Sequence, residues 1–282
     1  MTIKELLQSG NESLSSFSDN PQLDSELLLG FIVKKTKHWL YMHEQELINN
    51  QQKKQWQKLI KQRQQGKPIA YLISQKEFYG LNFFVNQHVL IPRPESELLI
   101  EQILLHHPIN ESLIIADIGT GSGCLAITLA KYLPNAIVYA ADISVHALSV
   151  AKKNARQHQV KINFRRGNLL KPLRNLKIDL VIANLPYLSP TVYRQTSMSI
   201  QKYEPKLALL SANNGLFYYQ QLLAQIGSFF PSVKQIFLEI DSRQNKQIKT
   251  IIKQSTNQRI SQAKIKISKD LQQQDRVVSI FI

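Results

Sequence analysis

Between Thr2 and about Gln65 the apolar residues return at helical spacing, as at Leu47, Trp56, Leu59 and Ile60, with polar residues between them. That period predicts a small helical domain. Gly66 and Pro68 then break the pattern. Leu81, Phe83 and Val85 alternate with polar neighbours, and Val89-Leu90-Ile91 runs into the paired prolines Pro92 and Pro94, so a short hairpin and a linker are expected. Beyond the linker the rhythm becomes strand, helix, strand, helix. Strands are expected over Leu113–Ile118, Ile137–Ala141, Ile162–Arg165, Asp179–Ile182 and Gln235–Ile240. Helices are expected from Leu125, over Ser144–Gln157 and over Leu216–Phe229. Ile265–Ser268 and Val277–Ile282 read as strands with no long helix between them, hence an antiparallel edge pair. Alternation of this kind predicts an α/β fold with a parallel sheet covered on both faces. The expected organisation is a helical domain over residues 1–75, a hairpin and linker over 76–108, and the α/β domain over 109–282.

Composition narrows the setting. The chain of 282 residues holds one cysteine, Cys124, which leaves no internal disulfide and no cysteine-based zinc cluster. It has no apolar run of bilayer length, and Met1-Thr2-Ile3-Lys4-Glu5 carries no cleavable signal pattern, so a cytoplasmic protein with no membrane association is expected. The net charge of +15 favours acidic partners through long-range steering, yet a lysine-rich solvated face accounts for it as well. The histidines show no metal-ligand spacing, and no metal is expected.

The strongest local signal is Asp117-Ile118-Gly119-Thr120-Gly121-Ser122-Gly123, which closes an expected strand and opens an expected helix. Alternate glycines let the backbone turn sharply against a ligand, and the helix N-terminus offers unpaired N–H groups. At the end of the next strand stands Asp142, where a carboxylate can accept both hydroxyls of a ribose. A plain tight turn with Asp142 as a helix cap is the bland account; the ordered succession of strand, loop, helix, strand and acid argues against it. The spacing Gly-x-Gly-x-Gly differs from the dinucleotide pattern, and Asp117 can hold a cationic ammonium, so S-adenosylmethionine is favoured over a dinucleotide.

Where the strand Asp179–Ile182 ends, the chain reads Asn184-Leu185-Pro186-Tyr187. Ligands of open parallel sheets collect beyond the carboxyl ends of the strands, which places this tetrapeptide beside the glycine loop. Methylating an amide or an aromatic amino nitrogen is hard because its lone pair is delocalised. Two acceptors, the Asn184 side-chain oxygen and the Leu185 carbonyl, can take its two N–H bonds and free that pair, while Tyr187 offers a flat stacking face. A turn with a buried tyrosine is the plainer reading.

These motifs, together with Phe84-Val85, the linker Val89-Leu90-Ile91-Pro92-Arg93-Pro94-Glu95-Ser96-Glu97, Tyr203-Glu204-Pro205-Lys206-Leu207-Ala208-Leu209, Glu239-Ile240 with Gln244, and Asp275-Arg276-Val277-Val278, resemble the bacterial methyltransferases that modify the glutamine of the Gly-Gly-Gln motif in class 1 peptide chain release factors. The resemblance implies a seven-stranded, Rossmann-like class I methyltransferase domain preceded by a small helical domain that docks the release factor. It implies S-adenosylmethionine as cofactor, with Gly119 to Gly123 at its methionine part and Asp142 at the ribose. Asn168 and Leu169 take the places that flank the adenine. Asn184 serves cofactor and substrate, with Leu185, Pro186 and Tyr187 completing the glutamine pocket. Three departures from the family stand out: Leu185 replaces a proline, Asn168-Leu169 replace an acid and an aromatic, and Gln273-Gln274 stands near a common glycine. Arg93 can contact the substrate or brace the linker through Glu95 or Glu97, and the bracing role is the one expected. The partner implied is the release factor itself, with no nucleic acid required and a monomer expected. Asn-Leu-Pro-Tyr also occurs in ribosomal-RNA adenine dimethyltransferases, which makes RNA the rival substrate; a catalytically impaired relative that only binds the release factor is the third reading.

Overall fold

A computed structural model describes residues 1–282, and their contacts divide into two compact units. The first comprises Met1–Gln75 with Ser197–Tyr203; the second comprises Lys76–Thr196 and Glu204–Ile282.

In the first unit α1 (Ile3–Leu14) starts on a capping box between Thr2 and Glu5, and buries Ile3, Leu6, Gly10 and Leu14 along one stripe. A side chain at Gly10 would meet Ser25 and the Trp56 ring at 2.5 Å, so glycine is what lets these helices close together. Then come α2 (Pro21–Val33), α3 (Lys37–Met42), α4 (Asn50–Gln64) and α5 (Ile69–Leu72). Asn49 and Gln52 cap α4, whose buried face is Trp56, Leu59 and Ile60. Leu47 departs from the helical reading: it lies outside any helix, pairs as an isolated bridge with Thr2, and is exposed. Gly66 ends α4 with φ +86°, in the left-handed region.

From Lys76 the second unit takes up the hairpin of β1 (Gln75–Phe78) and β2 (Leu81–Phe84), whose turn residues Tyr79 and Gly80 both have positive φ, as a two-residue turn of this kind requires. There follow α6 (Glu97–His106), β3 (Ile114–Ile118), α7 (Cys124–Tyr132), β4 (Ile137–Asp142), α8 (Val145–Gln157), β5 (Asn163–Arg166) and β6 (Leu180–Ala183). After α9 (Pro190–Arg194) comes α10 (Met198–Tyr203), the one short segment of this stretch that belongs to the helical unit. The chain continues through α11 (Ala212–Gly215), α12 (Phe217–Phe229), β7 (Gln235–Glu239), α13 (Asn245–Lys253), α14 (Gln258–Ser261), β8 (Lys264–Lys269) and β9 (Asp275–Phe281).

The seven-stranded sheet has the order β5-β4-β3-β6-β7-β9-β8, parallel except for β9, which runs antiparallel to both β7 and β8. Two apolar cores flank it, one built on Leu222, Leu223 and Ile226 of α12, the other on Leu99, Ile100 and Ile103 of α6 with Leu125 and Leu129 of α7. β6 is buried at every position, the composition expected of a central parallel strand. Winding runs outward from β3 in one direction and from β6 in the other, so a crevice opens at the carboxyl ends of these two neighbours. Ile118 and Ala183 are register partners, and the glycine loop and Asn184 leave the sheet side by side. Residues 76–108, the expected hairpin and linker, fall within this second unit.

Candidate active site

Beyond β3 the loop reverses on Gly119, Gly121 and Gly123, all with positive φ, and Gly123 caps α7. Gly119 has φ +74°, a conformation that favours glycine, and a Cβ there would come within 3.1 Å of the Leu185 side chain. Asp142 closes β4. One carboxylate oxygen accepts the Gly121 amide at 3.0 Å, and the other accepts the Ser144 amide at 2.8 Å. Its own carbonyl accepts the Gly167 amide at 3.0 Å, which brings the loop holding Asn168 and Leu169 to the same crevice. Leu169 is buried with φ +51°, a left-handed conformation unusual for leucine, and a strained residue at a cavity wall is a feature of binding sites.

A cavity of about 250 Å³ lies here. Its walls include Gly119, Thr120, Gly121, Ser122, Asp142, Asn168, Leu169, Asn184, Leu185 and Pro186, so ten of the twelve residues singled out from sequence meet in one place. The other two, Gly123 and Tyr187, are not part of the wall. Gly123 lies beneath the loop, packed near Ile127 and Ala151. Tyr187 turns back toward the protein: its hydroxyl donates to Glu239 Oε1 at 3.2 Å, and burial pushes its phenol far above the ordinary range.

Asn184 Nδ2 donates to Ser96 Oγ at 3.0 Å, and Ser96 Oγ donates to Glu239 Oε2 at 2.5 Å. Neither Ser96 nor Glu239 has a role assigned by its motif alone; an acid at the end of a buried strand, where a solvated charge is costly, is the signal that marks Glu239. Gln244 likewise has no role legible in its motif. Its Nε2 donates to the Tyr187 carbonyl at 3.1 Å and to the Asn214 carbonyl at 3.1 Å, clamping the tetrapeptide from behind. Arg93 braces the linker, but through Glu204 at 2.5 Å and not through Glu95 or Glu97; Glu97 instead accepts the Tyr79 amide at 2.9 Å.

Asp117 is fully buried beneath the loop. Thr120 Oγ1 donates to its Oδ2 at 2.6 Å, while Oδ1 has no partner. Burial pushes its carboxyl up to about 7, against the hydrogen bond from Thr120. Asp142 is raised as well, chiefly by burial, with the Ser144 and Gly121 amides pulling the other way. A glycine cradle and a carboxylate with both oxygens set by amides suit a ligand with ribose hydroxyls, whereas Asp117, expected at a cationic ammonium, lies behind the loop and is not part of the wall.

No helix is long and apolar enough to cross a membrane. The fold is shared with a methyltransferase from Pyrococcus furiosus (TM-score 0.51, 16% identity, covering 73% of this chain and 91% of that one) and with the hMettl16 catalytic domain (TM-score 0.57, 14% identity, covering 73% and 76%). The PrmC N-terminal domain matches residues 5–73, and the methyltransferase small domain matches residues 94–201. Among curated relatives, the release factor glutamine methyltransferase of Enterococcus faecalis is 39% identical over 85% of this chain and 84% of its own length. That of Coxiella burnetii is 35% identical over 89% and 90%, and that of Flavobacterium psychrophilum is 32% identical over 99% of both. Similarity of this extent, over the helical unit as well as the sheet, settles the kinship: the chain belongs to the release factor glutamine methyltransferase family.

Proposed function

We propose that this enzyme transfers a methyl group from S-adenosylmethionine to the side-chain amide nitrogen of the glutamine in the Gly-Gly-Gln motif of class 1 peptide chain release factors. The observation that carries the reading is the state of Asn184: Ser96 holds its Nδ2, which leaves Oδ1 as the amide's free acceptor at the cavity wall. The Leu185 carbonyl, next along the chain, supplies the second acceptor. Bound S-adenosylmethionine supplies an electrophilic methyl on a sulfonium. The glycine loop from Gly119 holds its methionine part, Asp142 its ribose, and Asn168 with Leu169 its adenine. Asn184 and Leu185 take the two N–H bonds of the substrate amide, so that its lone pair turns from the carbonyl toward the methyl as the transition state forms. Pro186 shapes the pocket. Tyr187, held on Glu239, braces the tetrapeptide from behind instead of stacking on the substrate.

The helical unit docks the release factor. Leu23, Leu27 and Phe31 stand exposed at successive turns of α2, a stripe of the kind a protein partner covers. The reaction belongs to the cytoplasm, needs no nucleic acid, and is assigned to a monomer. Replacing Asn184 by alanine tests the core of this reading. Methyl transfer from labelled S-adenosylmethionine to a purified release factor should fall by roughly 100-fold or more, as when an oriented transition-state partner is removed. Near-normal turnover would sink the mechanism. Label appearing on protein-free ribosomal RNA, and not on the release factor, would hand the substrate to RNA.

A further inference from the structure

A carboxamide is almost symmetric in shape, so packing alone does not decide whether Asn184 meets the substrate with its oxygen or its nitrogen. Only the oxygen can accept an N–H bond. The decision lies in the chain of hydrogen bonds behind it. Glu239 accepts twice, from Tyr187 Oη at 3.2 Å and from Ser96 Oγ at 2.5 Å. Ser96 has a single proton, and Glu239 takes it. The Ser96 oxygen can therefore only accept, and it does so from Asn184 Nδ2 at 3.0 Å. The reverse flip sets Oδ1 against an oxygen whose proton is already committed. At a place where Ser96 is 3% exposed and Glu239 1%, water does not relieve that conflict.

We infer that Ser96 and Glu239 are positioning residues that select the oxygen-first orientation of Asn184. The inference rests on the reading of Asn184 as the substrate acceptor. It assigns a direction to the relay, from a carboxylate that must accept to an amide that must therefore donate at its inner end. The direction depends on Glu239 being ionised. The charged and titratable groups that face it are Arg276 on β9, Tyr187 beyond β6, Tyr219 on α12, Glu95 beside Ser96, and Cys124 at the start of α7. Tyr219 Oη donates to the Glu239 carbonyl at 2.5 Å and leaves the carboxylate alone. Burial raises the Glu239 carboxyl above its ordinary range, while Ser96, Arg276 and Tyr187 hold it down. Once protonated, Glu239 becomes a donor to Ser96. The Ser96 proton then turns to Asn184 Oδ1, and the amide presents nitrogen to the substrate.

The test uses the full-length protein, a purified release factor, and both substrates saturating, so that kcat is read apart from binding. Ser96→Ala should lower kcat on the order of 10- to 100-fold through misorientation, with KM for the release factor unchanged. The wild-type kcat should fall as pH drops through the Glu239 titration, and the residual rate of Ser96→Ala should lack that acid limb. Ser96→Thr keeps the hydroxyl and should restore most of the rate together with the limb. Wild-type kcat and limb in Ser96→Ala would overturn the inference. Equal loss in Ser96→Ala and Ser96→Thr, with lowered melting temperatures in both, would overturn it in favour of a purely structural serine. Near-normal turnover in Asn184→Ala would instead remove the reading beneath it, whereas an inactive Asn184→Ala beside a wild-type Ser96→Ala would remove the relay alone.

Discussion

Arg93 Nη2 lies 2.5 Å from Glu204 Oε1, and Glu204 Oε2 accepts the amide of Ile91 at 3.2 Å. One buried carboxylate thus joins two residues of the linker to a segment more than 100 positions later. Both segments line the cavity, through Pro92 and Arg93 on one side and Pro205, Leu207 and Ala208 on the other. Glu204→Ala leaves the buried Ile91 amide unpaired and Arg93 without its partner, a loss of about 1–3 kcal/mol. Urea unfolding should show the shift in midpoint, and KM for S-adenosylmethionine should rise as the two walls loosen. A midpoint equal to wild type would show that the pair contributes nothing.

Asp142 should hold the cofactor and not the transition state. Asp142→Ala is expected to weaken S-adenosylmethionine binding by on the order of 1–3 kcal/mol, the range for charge-assisted hydrogen bonds, while kcat at saturation changes little. Titration calorimetry measures the first and initial rates the second. Asp142→Asn, which keeps one acceptor oxygen, should fall between the two proteins. Unaltered affinity in Asp142→Ala would dismiss the ribose assignment.

The raised carboxyl of Asp117 makes two quantities depend on pH. Its ordinary value is 3.8 and its folded value about 7, so the native state takes up a proton that the unfolded chain has released. This group therefore stabilises the free protein most at low pH, and the contribution is lost as pH rises from about 4 to about 7. A cation in the cavity favours the ionised form. S-adenosylmethionine affinity should accordingly strengthen with pH up to about 7 and level off above it, with proton release on binding near neutrality. Calorimetry in buffers of different ionisation heat detects that proton, and Asp117→Asn should abolish both effects.

Gly215 has φ +88°, and a Cβ there would fall 1.9 Å from the Tyr187 carbonyl oxygen and 2.3 Å from Gln244 Nε2. Gly215→Ala should cost on the order of 1–3 kcal/mol in backbone strain alone, and more once the clash expels Gln244. Gln244→Ala removes the clamp on Tyr187 without the clash. It should reduce kcat while shifting the melting temperature less than Gly215→Ala does. Identical rates and stabilities in wild type and Gly215→Ala would refute this account of the loop.

Much of this protein is legible in its local sequence. Short apolar runs bounded by turn residues locate the strands from β3 to β9 to within a residue or two, because a strand covered on both faces is apolar at nearly every position over its whole length. The Gly119, Gly121 and Gly123 spacing and Asp142 announce a nucleotide-type crevice for the same kind of reason: conformation and charge at these positions are demands of the chain itself. Leu47 is the exception, since its apolar character fits a helical period that the backbone around it does not adopt.

What tertiary structure alone decides are the pairings between distant positions. Nothing local tells Arg93 to choose Glu204 over the nearer Glu95 and Glu97, Tyr187 to turn toward Glu239, or Ser96 to stand between Glu239 and Asn184. Each choice depends on which carboxylate the packed sheet leaves buried within hydrogen-bond reach, and in a dry interior that geometry outweighs proximity along the chain. The candidate site residues are thus written in the sequence, while the hydrogen bonds that join Asn184 to Ser96 and Ser96 to Glu239 exist only after β3, β6 and β7 have come together.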